Sequence, residues 1–372
     1  MNPSQKILLI QLYSNGDSLY ATAVARQIKQ DYPGCHLTWA IADYCKNILF
    51  NNPFIDELLV IQEINFNNWD RHWKKLWQQI EEYKREGRFD RVYFTQLVDR
   101  NLANYDHCIR SGIFRGYDRP ITVPVQPVLR LTDAERDRVS EFAAKHRLSN
   151  YREVLLLEYA PRSKQAKFSA EMALDIAGRV TADAGIAVIL SSNEKLEVDN
   201  PSILDASYLS LREIAGLSNH CTLLVGCSSG VTWATTSDAG KRLNMIQVLD
   251  PRAYWLNSVV NDHQRFGLPV DHIIEIEDSS ADEIYQCVRT VLDQDFPTAR
   301  ERYHTEMPVR FRITRGILVY LLGKGDIRAA LKHIRINLSV FGWKPRLMKA
   351  IFLGITTFPI MNYITKRKAK RQ

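Results

Sequence analysis

Three loops in this sequence carry the residues whose types and spacing could do chemistry. In the first, Ser14, Asn15, Gly16 and Asp17 interrupt an apolar run and open an amphipathic one, which sets a carboxylate at the start of a helix. A carboxylate there either interacts with helix-terminal N–H groups or stands at the carboxyl end of a strand as a general base for an acceptor hydroxyl. Spacing alone leaves both readings open. Ser14 or Asn15 is placed to cap the helix, and Gly16 would let the backbone turn tightly.

The second loop, Gly226 to Gly230 (GCSSG), leaves backbone N–H groups free to meet an anion at the head of a helix, and phosphate is the natural guest. It has neither the G-x-G-x-x-G fingerprint nor the P-loop lysine, which disfavours an NAD enzyme or an NTPase. It faintly echoes G-x-S-x-G with Ser228 in the nucleophile position, but His263 and His272 follow at no meaningful spacing, so a hydrolase is disfavoured. In the third loop, Arg162, Lys164 and Lys167 either offer cations to a diphosphate or form a solvated surface. Glu194, after the run ILSSN, either hydrogen-bonds a ribose or base or faces solvent. The single D-x-D, Asp293 to Asp295, ends a helix rather than a strand and is discounted as a metal-nucleotide site. No metal is expected.

The elements that must position these loops alternate. Lys6–Leu12 reads as a strand buried on both faces, and Ser18–Tyr32 as a helix stopped by Pro33 and Gly34. Strands follow at His36–Ile41, Glu57–Ile61 and Arg91–Thr95, with helices over Asp43–Asn51 and Trp69–Gly87. The aromatic stripe of the latter reads as core packing or, in part, as a surface beside an acceptor or a membrane, and exposure of its tryptophans decides between them. A second series begins with the strand Glu153–Glu158 and continues through Ala187–Ser191, Thr222–Val225 and Asn244–Leu249, with helices at Ser169–Ala184, Leu211–Leu217, Val231–Ala239 and Ala281–Asp293. Chain order implies parallel sheets. The expectation is an α/β protein of two Rossmann-like domains facing across a cleft at the carboxyl ends of their strands.

At 372 residues, 45% hydrophobic and 24% charged, the chain has room for two domains at about 100 to 200 residues each. The expected boundaries are 1–150, 151–300 and a basic tail over 301–372. Six scattered cysteines without a C-x-x-C pair speak against a zinc site or a secreted disulfide framework. No signal peptide and no bilayer-spanning run is expected. The net charge of +7 hides an asymmetry: the last 65 residues hold 15 Lys or Arg and one acid, Asp326, leaving the first 307 at −7. The tail mixes these cations with Leu, Ile, Phe and Trp at helical spacing, as a helix lying on an anionic membrane surface would need, and the terminal KRKAKR would strengthen such binding. The other reading packs these helices on the body. A nucleic-acid arm would be less apolar and no nucleic-acid module is present, so nucleic acid is not expected as a partner.

The segment KILLIQLYSNGDSLYATAVARQIKQDYPGCHLTWAI, followed by NPFIDELLVI, resembles the start of the lipopolysaccharide heptosyltransferases, glycosyltransferase family nine. RFDRVYFTQ, APRSKQAKFSAEMALDIAGRV, ILSSNE and LSLREIAGLSNHCTLLVGCSSGVTWAT resemble later parts of that family in the same order, so the resemblance covers about residues 6 to 250. It implies a GT-B fold and metal-independent, inverting transfer from a nucleotide-sugar to a lipid-linked or surface-polysaccharide acceptor. By the same resemblance Asp17 would be the base, Lys167 a cation for the diphosphate, Glu194 a nucleoside contact, and Ser228, Ser229 and Gly230 the phosphate loop. The family's pattern is Asp-Ser-Gly with a His three residues on. Here Ser228, Ser229, Gly230 and Trp233 stand instead, and Trp233 either stacks on the donor or fills space. The tail resembles the basic helical ends of membrane-associated bacterial glycosyltransferases, which implies a cytoplasmic protein peripheral to the inner face of the plasma membrane. A degenerate GT-B binding protein and a two-Rossmann nucleotide-sugar epimerase are the alternatives.

Overall fold

The computed structural model describes residues 5–62, 69–161, 165–192, 194–253, 255–277 and 280–369. The first series contains β1 (Lys6–Ile10), α1 (Asn15–Asp31), β2 (His36–Ala42), β3 (Glu57–Ile61), α2 (Trp69–Arg85), β4 (Arg91–Phe94), α3 (Ile109–Phe114) and α4 (Asp133–Lys145). The second contains β5 (Glu153–Glu158), α5 (Ala170–Val180), β6 (Ile186–Ser191), β7 (Ile203–Asp205), α6 (Leu211–Leu217), β8 (Leu223–Gly226), α7 (Gly230–Thr235), β9 (Asn244–Leu249), α8 (Val259–Arg265), β10 (Ile273–Glu277), α9 (Ala281–Asp293) and α10 (Phe296–Tyr303). The chain ends with α11 (Arg312–Gly323), α12 (Ile327–Phe341) and α13 (Pro345–Ala369).

Two all-parallel sheets result, ordered β3-β2-β1-β4 and β10-β9-β8-β5-β6-β7. Ile7, Leu8, Leu9 and Ile10 are buried, as are Val154 to Glu158, because helices cover both faces of each sheet. Strand order reverses direction between β1 and β4 in the first sheet and between β5 and β8 in the second. Crevices open at such switch points, beyond the carboxyl ends of the strands. The loops after β1, β5 and β8 are those that hold the candidate residues.

The structure departs from the sequence reading in several places. Residues Asp43–Leu49 form a 3₁₀ turn rather than an α-helix. Strands β7 and β10 were not expected, since β7 is three residues long and Glu275 interrupts the apolar run of β10. Trp73, Leu76, Ile80 and Tyr83 of α2 are buried, with the Trp73 ring 5.0 Å from Phe94. Helix α4 packs on α6 of the second series, where the Arg212 guanidinium bonds both oxygens of Glu135 at 2.6 and 2.8 Å.

The last three helices fold back onto the first series. Phe311, Ile317, Leu318, Leu321, Leu347 and Ile351 form one buried cluster with Ala103 and Tyr105. His107 Nε2 lies 2.8 Å from the Thr314 hydroxyl, and the Asn337 amide donates to the Tyr105 carbonyl at 3.2 Å. The inner face of the tail therefore packs on the body. The side chains of the terminal KRKAKR run lie outside those described, and none of the described helices is long and apolar enough to cross a membrane.

Candidate active site

The first lip of the crevice is the loop from β1 to α1. Gln96, just beyond β4, braces it: its side-chain oxygen accepts from the amides of Leu12 and Tyr13 at 3.0 and 3.1 Å and from Gln11 Nε2 at 3.0 Å. Ser14 takes the N-cap position without a side-chain capping bond and carries the left-handed backbone, φ 72°. Gly16 does not. Its absent Cβ matters for another reason, since an added one would come 3.1 Å from Trp233 Cδ1. The expected role of Gly16 in turning the chain is thus corrected to one of close approach between two helices.

Asp17 sits in the first turn of α1, partly buried, with the Ser14 hydroxyl donating to its carboxylate and Tyr44 and Cys45 beside it. Burial raises its pKa from 3.8 to about 7, partly offset by the Ser14 hydrogen bond. A carboxyl poised near neutrality accepts a proton and holds it through the reaction far better than one at 3.8.

The second lip is the loop from β8 to α7, and it is braced by residues of β5, of β9 and of two neighbouring loops. The Ser228 amide donates to Gln247 Oε1 at 2.7 Å, and the Ser228 hydroxyl to the Asn257 carbonyl at 2.5 Å. Gln165 ties the same point down, donating to the Ser228 carbonyl at 2.8 Å and accepting from the Asn257 amide at 2.6 Å. Ser228 is held in a left-handed conformation, φ 49°, and its side chain is buried. The expectation that Ser228 contacts a phosphate is corrected accordingly: its hydroxyl is spent on shaping the loop, which also removes it as a nucleophile. Ser229 caps α7 by accepting from the Val231 amide at 3.1 Å, and its hydroxyl donates to Glu158.

Glu158 was not singled out from the sequence. It ends β5, is buried, accepts also from the Cys227 amide at 3.3 Å, and is raised by burial to about 7. Glu158 thus ties the loop at Cys227 and Ser229 to the end of β5. Lys167 lies 4.0 Å from Asp250, whose other oxygen accepts from Arg252 Nε at 2.9 Å, so two cations gather at the rim. Arg252 was likewise missed. Arg162 and Lys164 lie outside the described residues. Glu194 is exposed, and its carbonyl accepts from the Tyr159 hydroxyl at 2.9 Å, which fixes the end of β6.

Trp233 joins the two lips. It is 2% exposed, with its ring 4.7 Å from Tyr20 of α1, and the Arg110 guanidinium lies 5.6 Å from it. It fills the space between α1 and α7 and presents no face to a donor, so of its two readings packing is the one the structure adopts. Around it, Asn257 donates to the Tyr20 hydroxyl at 3.0 Å, and Arg110 pairs with Asp262 at 2.9 Å, both nearly inaccessible. Asn15 and Gly230 meet at the floor, where an added Cβ on Gly230 would lie 3.7 Å from that of Asn15. Asn15 is therefore brought to Gly230 and Gly16 to Trp233, while Asp17, on the same first turn of α1, lies beside Ser14, Tyr44 and Cys45. Among the described residues no cluster of three or more His, Cys, Asp or Glu side chains could hold a metal ion.

The braces Gln96 and Glu158 share one sequence signal, a polar residue at or just beyond the end of an apolar run, whereas Gln247 lies inside β9 and Gln165 in a polar loop. That signal was present in RVYFTQ and EVLLLE.

No protein-family model matches this sequence, and no curated protein matches it. Solved structures do. A family 9 glycosyltransferase from Veillonella parvula aligns over 79% of this chain and 91% of its own, with a TM-score of 0.54 and 16% identity. The ADP-heptose lipopolysaccharide heptosyltransferase II of E. coli aligns over 79% of this chain and 99% of its own, with the same score and identity. The chain thus has the GT-B fold of the family 9 glycosyltransferases, with its switch-point loops meeting at Trp233.

Proposed function

We propose that the protein is an inverting glycosyltransferase that moves a sugar from a nucleotide-diphosphate sugar to a hydroxyl of a lipid-linked or surface-polysaccharide acceptor. The observation that carries this reading is that the loop after β1, which bears Asp17, meets the head of α7 after β8, where Asn15 lies against Gly230 and Gly16 against Trp233. In the reaction the acceptor O–H proton passes to the Asp17 carboxylate as the oxygen attacks the anomeric carbon. The bond from that carbon to the diphosphate oxygen breaks on the opposite face, and a nucleoside diphosphate leaves. Its charge falls to the amides at the head of α7 and to Lys167 and Arg252, preorganised charges of the kind that stabilise a leaving anion without a divalent ion. Glu194, at the mouth of β6, is the contact for the nucleoside. Similarity of fold to heptosyltransferase II supports a donor of this class.

The first experiment is a thermal-shift screen of the metal-free protein against ADP, GDP, UDP, CDP and CMP and their common sugar conjugates. Native-state binding raises the midpoint, so a shift with one nucleotide names the donor. That donor is then incubated with candidate acceptors. Release of nucleotide only with acceptor present is the expected result. Conversion of the donor alone would make the protein an epimerase, and binding without turnover would make it a degenerate scaffold.

A further inference from the structure

Nine large apolar or aromatic side chains are exposed among the described residues, and five of them lie on the last three helices and their connections: Ile327 at 62%, Leu331 at 61%, Trp343 at 77%, Phe352 at 65% and Ile355 at 47%. These are the outward faces of helices whose inward faces, Ala329, Ala330 and His333 of α12 and Leu347, Ala350 and Ile351 of α13, already pack on the body. The core therefore does not account for them. A soluble surface seldom concentrates such residues in one place, and where it does it marks a binding face.

Charge identifies the occupant. Arg328, Arg335, Lys344, Arg346 and Lys349 are exposed on the same stretch, and Asp326 is the only acid in the 65 residues from Pro308. On α13 the order Arg346, Lys349, Phe352 runs along one side of the helix at three-residue intervals, with Trp343 at its foot. A nucleic acid would engage the cations and leave Phe352 and Ile355 in water. A protein partner of ordinary composition would not call for so uniform a sign. Apolar side chains interleaved with cations, without acids, match an anionic lipid surface, where the apolar groups enter the acyl boundary and the cations meet head groups.

We infer that the outer face of α12 and α13, from Ile327 to Ile355, docks the protein on an anionic bilayer. The fold gives this face an orientation. The tail packs on residues 99–107, which leave the carboxyl end of β4, and Asn101 is tied to the Phe94 carbonyl there at 2.7 Å. That is the edge of the first sheet that carries Gln96 and the Asp17 loop, so the docked face adjoins the acceptor side of the crevice rather than the donor side.

The test uses the full chain and needs no nucleotide, so its failure is separable from failure of the transferase reading. Cosedimentation is measured with vesicles of phosphatidylcholine alone and of phosphatidylcholine with phosphatidylglycerol. Binding only to the anionic vesicles, weakened by salt, is expected. Phe352→Ser with Ile355→Ser should weaken it about tenfold, as should Arg346→Glu with Lys349→Glu. Brominated lipid should quench the wild type more than Trp343→Phe, which places that indole in the acyl region. Equal binding by all variants, or no binding to anionic vesicles, overturns the inference. So does loss with the charge variants alone, with Trp343 unquenched and RNA bound equally well, since that marks a general polyanion surface. All these side chains are solvent-exposed, and circular dichroism of each variant confirms that it is folded.

Discussion

Replacing Asp17 with Asn keeps the shape of the side chain and removes its ability to take a proton. With the folded pKa at about 7, the charged fraction in the wild type rises from about 9% at pH 6 to about 91% at pH 8, so kcat should climb roughly tenfold over that interval and then level off. Loss of the base should lower kcat by about 10²–10⁴-fold and abolish that limb. The assay follows acceptor-dependent release of nucleoside diphosphate at saturating donor. Stability supplies an internal control with the opposite sign. Burial disfavours the charged form, so the folded state holds its proton where the unfolded chain has lost it. Stability therefore falls as pH rises from about 4 through about 7, and Asp17→Asn should be free of that share of the loss. A variant that is folded, more stable than wild type at pH 8 and nearly inactive fits the base. Turnover within about tenfold of wild type, or survival of the acidic limb, would refute it.

Glu158 also titrates near neutrality, but its charge would oppose a diphosphate, so nucleotide binding should weaken as pH rises through about 7, and Glu158→Gln should flatten that dependence in a calorimetric titration. Glu158→Ala, which strands the Cys227 amide and the Ser229 hydroxyl, should cost about 1–3 kcal/mol in denaturant unfolding. The pair Arg110 and Asp262, buried between α3 and α8, should behave as buried ion pairs do: Arg110→Met alone should destabilise by about 3–5 kcal/mol, and adding Asp262→Leu should recover most of it. A single variant as stable as the wild type would show that the pair does not hold the halves together.

What the sequence made legible follows from range. KILLI, EVLLLE and TLLV announce themselves because a strand buried on both faces is apolar along its whole length. The positions of Asp17 and of the Ser229–Gly230 turn followed from those strands. Residues that act through distant partners gave no such pattern. Glu158 meets Ser229 from 71 positions away, and Gln96 meets Leu12 from 84. The same limit explains Trp233, whose neighbour Tyr20 lies on another domain's helix, and Gly16, whose small size serves that tryptophan. Charge counting revealed the basic tail, but which face of it turns inward depends on Ala103, Tyr105 and His107, far upstream.

Because Tyr105 and Ala103 are covered by α11 to α13, the first half of the molecule cannot finish folding when it leaves the ribosome. About 200 residues separate Tyr105 from Phe311, a delay of roughly 10–40 s at ordinary elongation rates. During that interval an aromatic surface waits uncovered, and a chain cut short before α11 never covers it. Nascent protein should therefore engage chaperones through this patch until termination, and premature stop codons near the 3′ end of the message should yield insoluble product rather than a shortened working enzyme.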